Sequence, residues 1–158
     1  MRIFVTGATG FVGSALVPEL IQAGHTVLGL TRSEAGAAAR RGAGADVQRG
    51  SVQELDSLCA GAADSDGVIH LAFNNDFSQF QKASEDDLKA IEAIGEVLVG
   101  SNRPFVVTSP TAVAMSVDGK PVTEDSPLAP WNPRARRRFV RHSGARCAGT
   151  HNAHVRSS

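Results

Sequence analysis

Residues 2–6 are a short β-branched and aromatic run, Arg2-Ile3-Phe4-Val5-Thr6, closed by Gly7, and this pattern predicts a buried strand. Residues 11–23 follow with apolar positions at helical spacing and end at Gly24; Pro18 lies inside, removes one intrahelical hydrogen bond and is expected to kink the helix. Residues 25–30 predict a second strand. Ser33 reads as an N-cap for a short alanine-rich helix over 34–41, stopped by Gly42. A brief third strand is expected at 46–48, a helix at 52–60 and a fourth strand at 67–72. Ser84 reads as the cap of a long helix running to residue 99, with Asp86 and Asp87 in its first turn, and 104–108 as a fifth strand. Strands that are nearly continuous apolar runs, alternating with helices, indicate an α/β doubly wound parallel sheet covered on both faces, with about five strands.

After residue 108 the pattern decays into Pro- and Gly-containing turn signals, and no sixth strand is legible. Charge marks the same change. Through Pro130 there are nine Lys/Arg against 16 Asp/Glu, a balance of −7; from Trp131 onward there are seven Arg and no acid, a balance of +7. The expected organisation is one α/β domain over residues 1–130 and a nonstandard basic tail over 131–158, disordered from about Arg134 because ordering costs exceed what exposed charge pairs return. A truncated or out-of-frame C-terminus is the expected origin of such a tail. Two cysteines, Cys59 and Cys147, are too few for a disulfide framework, no apolar run spans a bilayer, and no signal peptide is visible at Met1; a cytoplasmic location is expected. The arginine cluster Arg134, Arg136, Arg137, Arg138 and Arg141 has no aromatic platform beside it, so nucleic acid is not the expected partner. His142, Cys147, His151 and His154 match no common zinc spacing, and no metal is expected.

The chemistry concentrates between the first strand and first helix, in Gly7-Ala8-Thr9-Gly10-Phe11-Val12-Gly13. A tight strand-to-helix turn, a close backbone approach to a pyrophosphate and close helix–sheet packing each require a residue without a side chain, and the free N–H groups of a helix N-terminus favour phosphate. The spacing is G-x-x-G-x-x-G rather than G-x-G-x-x-G. A dinucleotide is therefore the expected ligand. Arg32 and Ser33, at the end of the second strand, occupy the place where a cation accommodates a 2′-phosphate, which favours NADP over NAD; Glu34 is the only nearby acid. His70, alone at a strand end, reads as structural.

Over about residues 1–110 the chain resembles the extended and atypical short-chain dehydrogenase/reductases of the NAD-dependent epimerase/dehydratase family. The resemblance is carried by TGATGFVG, by Gly29-Leu30-Thr31-Arg32-Ser33, by Val68-Ile69-His70-Leu71-Ala72 and by Val107-Thr108-Ser109. It implies a Rossmann fold, hydride exchange between a nicotinamide and a carbonyl or alcohol, and cofactor contacts from the glycine loop, Arg32, Ser33, Ser51, Leu71, Ala72 and Thr108. It also implies a carbonyl-polarising role for Ser109, although Pro110 follows where relatives often have glycine. Relatives carry an aspartate after strand three where this chain has Gly50-Ser51-Val52, and they use a Tyr-x-x-x-Lys pair, whereas this chain contains no tyrosine. The C-terminal half that builds their substrate pocket is not expected here. A noncatalytic dinucleotide-binding or sensing module is the competing expectation, and the edge left by strand five is expected to invite self-association.

Overall fold

The computed structural model describes residues 1–108, the side chain of Phe77 excepted. Ser109, the arginine cluster, the histidines after residue 141 and the boundary near residue 130 lie outside the described residues. Five strands form one parallel sheet: β1 (Arg2–Thr6), β2 (Thr26–Thr31), β3 (Asp46–Arg49), β4 (Gly67–His70) and β5 (Phe105–Val107), in the order β3-β2-β1-β4-β5. Four helices connect them: α1 (Phe11–Gln22), α2 (Glu34–Gly42), α3 (Leu55–Ala63) and α4 (Phe80–Leu98), the last preceded by a single 3-10 turn, Phe77–Gln79.

Side chains alternate across each strand and divide the core in two. On one face Phe4, Leu28, Leu30 and Val68 pack with Leu58 and Ala62 of α3 and Ala90, Ile94 and Leu98 of α4. On the other, Ile3, Val5 and Val27 pack with Val17 of α1 and with Ala8 and Ala45. Helices on both faces of a parallel sheet make this a doubly wound α/β fold.

Several element boundaries differ from the sequence expectation for identifiable reasons. α1 runs through Pro18 as expected and ends at Gln22, one residue early, because Ala23 is its C-cap and the chain turns at Gly24, where His25 N–H returns to the Leu20 carbonyl. α2 keeps Gly42 and stops at Ala43, because Gly44, at φ +85°, takes the left-handed position that closes the turn. α3 starts at Leu55 rather than at residue 52, since Val52 and Gln53 line a cleft instead. Ser84 caps nothing: it is buried within α4, and Asp76 caps the preceding turn by accepting from the Ser78 N–H at 3.0 Å. Asp86 and Asp87 consequently sit in the second turn of α4, not its first. Cys59 is buried on α3.

Candidate functional site

From β1 the chain steps outward to β2 and β3 and then returns to the other side of β1 for β4, so the strand order reverses between β1 and β4. At such a switch point the loops leaving the two strands diverge and open a crevice at their carboxyl ends. A cleft of about 400 Å³ lies there. Its walls are the loop after β1 (Gly7, Thr9, Gly10, Phe11, Val12, Gly13), Leu30 and Arg32 from β2 and its end, residues 50–53 after β3, and residues 71–75 after β4.

The three loop glycines serve different steric needs. Gly7 has φ +68°, and a Cβ there would lie 2.7 Å from the Ala72 backbone N, so it both turns the chain and lets β1 approach the end of β4. At Gly13 a Cβ would stand 2.2 Å from the Gly7 carbonyl oxygen, so α1 can seat against the loop only without a side chain. Gly10 is different: its Cβ would meet only the Gly7 carbonyl, at 3.3 Å, and this residue lines the cleft. The Gly10 N–H closes the turn onto the Gly7 carbonyl at 2.9 Å, and the first intrahelical bond runs from the Ser14 N–H to the Gly10 carbonyl at 2.8 Å. The N–H groups of Phe11, Val12 and Gly13 therefore precede the helical ladder and stand at the cleft. Among the lining residues there is one cation, Arg32, and no acid. Free helix-start N–H groups, a cation and a wall without carboxylates suit a phosphate-bearing anion.

Of the residues singled out from sequence, Gly7, Thr9, Gly10, Phe11, Val12, Gly13, Arg32, Ser51, Leu71 and Ala72 come together around this cleft. Three do not. Ala8, in the turn that Gly7 opens after β1, directs its methyl into the core on the α1 face and is fully buried. The Ser33 hydroxyl is used in the N-cap of α2, accepting from the Gly36 N–H at 3.1 Å, and is not among the lining residues. The Thr108 hydroxyl donates to the His70 carbonyl at 3.2 Å, which fastens the end of β5 to β4 outside the cleft. The Ser51 hydroxyl donates to Glu54 at 2.9 Å and keeps acceptor capacity. Sequence reasoning missed Gln53, Phe73, Asn74 and Asn75 as lining residues. The Asn-Asn pair directly after a predicted strand was the available signal, because loops leaving strand ends at a switch point form the crevice walls.

His70 is fully buried beneath the cleft floor. Its Nδ1 lies 2.8 Å from the Thr6 hydroxyl and its Nε2 lies 3.2 Å from the Asp87 carboxylate on α4. Thr6 Oγ1 also accepts from the Ala72 N–H at 3.3 Å. With the Thr6 hydroxyl donating to Nδ1 and Nε2–H donating to the carboxylate, one neutral tautomer satisfies every member of the chain. This is the structural role expected of a lone buried histidine.

The comparisons with known proteins agree with this geometry. The model of the NAD dependent epimerase/dehydratase family matches residues 3–146. An uncharacterized protein of Schizosaccharomyces pombe is 55% identical over 126 residues, covering 80% of this chain and 42% of that protein. The fold is similar to that of UDP-glucose-4-epimerase from Stenotrophomonas maltophila with bound NAD and formylated UDP-arabinopyranose, with a TM-score of 0.68 at 21% identity over 86% of this chain and 45% of that one. Yeast methylglyoxal/isovaleraldehyde reductase complexed with NADPH is similar over 73% of this chain and 39% of that one, with a TM-score of 0.59 at 23% identity. The chain spans less than half the length of the curated relatives it matches. A family model matching residues 3–146, on a doubly wound sheet with its glycine loop at the switch point, places the chain in the NAD dependent epimerase/dehydratase family.

Proposed function

We propose that this chain holds a nicotinamide dinucleotide in the β1/β4 cleft, NADP in preference to NAD. The observation that carries the reading is the cleft itself: glycine loop, N–H groups at the start of α1 that precede the helical ladder and, among the described lining residues, a single cation and no carboxylate. The N–H groups of Thr9 and of Phe11 to Gly13 would hold the pyrophosphate, and Arg32 the 2′-phosphate. Ser51 would contribute at the adenine side, and Leu71 and Ala72 would bound the cofactor along the end of β4. The preference for NADP rests also on Glu34. This acid accepts from Arg41 at 3.0 Å and from Arg49 at 3.5 Å and does not line the cleft, so it is not placed to receive ribose hydroxyls there. Titration with NADPH and NADH tests the reading. Arg32→Ala is expected to weaken NADPH by about 10- to 100-fold, the worth of one or two charge-assisted hydrogen bonds, and NADH far less. Equal losses would remove Arg32 from 2′-phosphate recognition, and no binding of either nucleotide would remove the cofactor site.

The nicotinamide would supply hydride exchange with a carbonyl or alcohol, and Ser109 would polarise that oxygen. A second reading, a noncatalytic dinucleotide-binding or sensing module, is favoured by one observation: the chain contains no tyrosine to move the proton. Losing a general acid costs about 10²–10⁴-fold in rate, so the purified chain is expected to reduce no carbonyl substrate at an ordinary reductase rate. Cofactor-dependent turnover that co-purifies with the protein would favour the enzymatic reading. Self-association, where it occurs, would run along β5, which is one of the two edges of the described sheet and carries the half-exposed Val106.

A further inference from the structure

α2 is not an incidental connection between β2 and β3, because one of its faces supports the glycine loop from behind. Gly36 brings the helix close enough that a Cβ there would sit 3.1 Å from the Thr9 methyl. One turn later, Arg40 passes over β2 at Gly29; a Cβ at Gly29 would come 3.7 Å from Arg40 Cγ and 3.2 Å from the Ala8 methyl. The Arg40 guanidinium then donates from Nη1 to the Ala8 carbonyl at 3.3 Å, while its Nε is buried without a partner. Arg40 is not part of the cleft wall, but Thr9 is.

The Ala8–Thr9 peptide is trans, so its C=O and N–H point in opposite directions. A cation that holds the Ala8 carbonyl on the α2 side therefore fixes the Thr9 N–H on the other side, and polarises that peptide so the N–H is a stronger donor. We propose that Arg40 is a positioning residue for pyrophosphate binding, acting through the Ala8–Thr9 peptide and equally for both nicotinamide dinucleotides. The proposal rests on the dinucleotide reading above. It assigns Arg40 a role separate from that of Arg32, which would discriminate between the two cofactors.

The test compares the full chain with Arg40→Met, which keeps the length of the stem and removes the donors, and with Arg40→Lys, which restores a cation. Fluorescence titrations give the Kd for NADH and NADPH, and competition gives those for 5′-AMP and ADP-ribose. Arg40→Met is expected to weaken NADH and NADPH by the same factor, about tenfold (about 1.4 kcal/mol). It should also shrink the affinity gain of ADP-ribose over 5′-AMP, with Arg40→Lys intermediate on both measures. A structural role alone would lower the melting temperature without changing that gain. Unchanged dinucleotide affinity, a loss confined to NADPH, or an equal loss for 5′-AMP and ADP-ribose would each overturn the proposal. If Arg40→Met does not fold, Arg40→Leu, which also removes the cation, carries the same comparison, and wild-type affinity and gain in that variant would overturn it. Failure of the wild-type chain to bind either dinucleotide would instead overturn the cofactor reading, and this inference with it.

Discussion

A methyl group at Gly13 would collide with the Gly7 carbonyl oxygen and the Ala8 Cα, at 2.2 and 2.7 Å, whereas one at Gly10 meets only the Gly7 carbonyl, at 3.3 Å. The two substitutions should therefore separate folding from binding. Gly13→Ala is expected to lower stability by about 1–3 kcal/mol, the usual cost of forcing extra volume into a packed site, read as a fall in melting temperature. Gly10→Val is expected to leave the circular dichroism spectrum and the melting temperature nearly unchanged. It should nevertheless abolish dinucleotide binding, since its side chain would occupy the approach to the loop. Wild-type affinity in that variant would count against the site. At this scale the glycine spacing was legible in the sequence, but the different reason for each glycine was not. Ala8 and Ser33 show why: both lie beside cleft residues, yet one points into the core and the other has its hydroxyl engaged in a helix cap.

At the scale of elements, two helix ends depend on one side chain. Arg103 donates to the Ala62 and Ser65 carbonyls at 2.8 Å and to the Val97 carbonyl at 3.0 Å, so it joins the C-terminal ends of α3 and α4 just before β5. Arg103→Ala strands these carbonyls and should cost about 2–4 kcal/mol by chemical denaturation, since each charge-assisted bond contributes about 1.5–3 kcal/mol and the contributions overlap. No pattern of hydrophobic positions announces this, because Arg103 acts across forty residues of chain. The entry to α4 gives a prediction of another kind. Hydrogen bonds from the Ser78 hydroxyl, then from its backbone N–H, hold the Asp76 carboxyl below its ordinary range, and on α4 Lys82 does the same for Asp86. A depressed folded-state value contributes stability that is fully present above the unfolded value of about 3.9 and is lost as pH falls through the folded value. The start of α4 should accordingly loosen below about pH 4, seen as faster amide exchange around residues 76–80. Asp76→Asn, which keeps a capping oxygen without the charge, should flatten that dependence; an unchanged acid response would exclude Asp76 as its source.

For the molecule as a whole, two cores on opposite faces of one sheet meet only through the strands. Phe4 is fully buried at the centre of the larger core and lies so close to α3 that a Cβ at Gly61 would stand 2.5 Å from its ring. Phe4→Ala should cost about 3–5 kcal/mol, a large part of the roughly 5–15 kcal/mol that holds a typical domain together. Because the sheet is shared, urea unfolding followed by near- and far-ultraviolet circular dichroism should shift by the same amount. A loss confined to one signal would show that the two faces unfold separately.

The sequence by itself determined the five strands of the described residues and the parallel, doubly wound architecture; their order in the sheet came from the structure. The sequence also located the glycine loop between β1 and α1. Strands, architecture and loop position all rest on local periodicity, turn chemistry and connection length, which a chain carries wherever it folds. Tertiary structure decided the rest, because the remaining properties depend on contacts between residues far apart in the chain. Asp76 rather than Ser84 starts the α4 region because Ser84 falls on the buried face of that helix. Thr6, His70 and Asp87, separated by 64 and 17 positions, meet only when β1, β4 and α4 pack together. Arg40 reaches the Ala8 carbonyl only because Gly29 leaves β2 bare beneath it. A side chain's partner is set by the packing of its element against the others, and a one-dimensional pattern of polar and apolar positions does not contain that information.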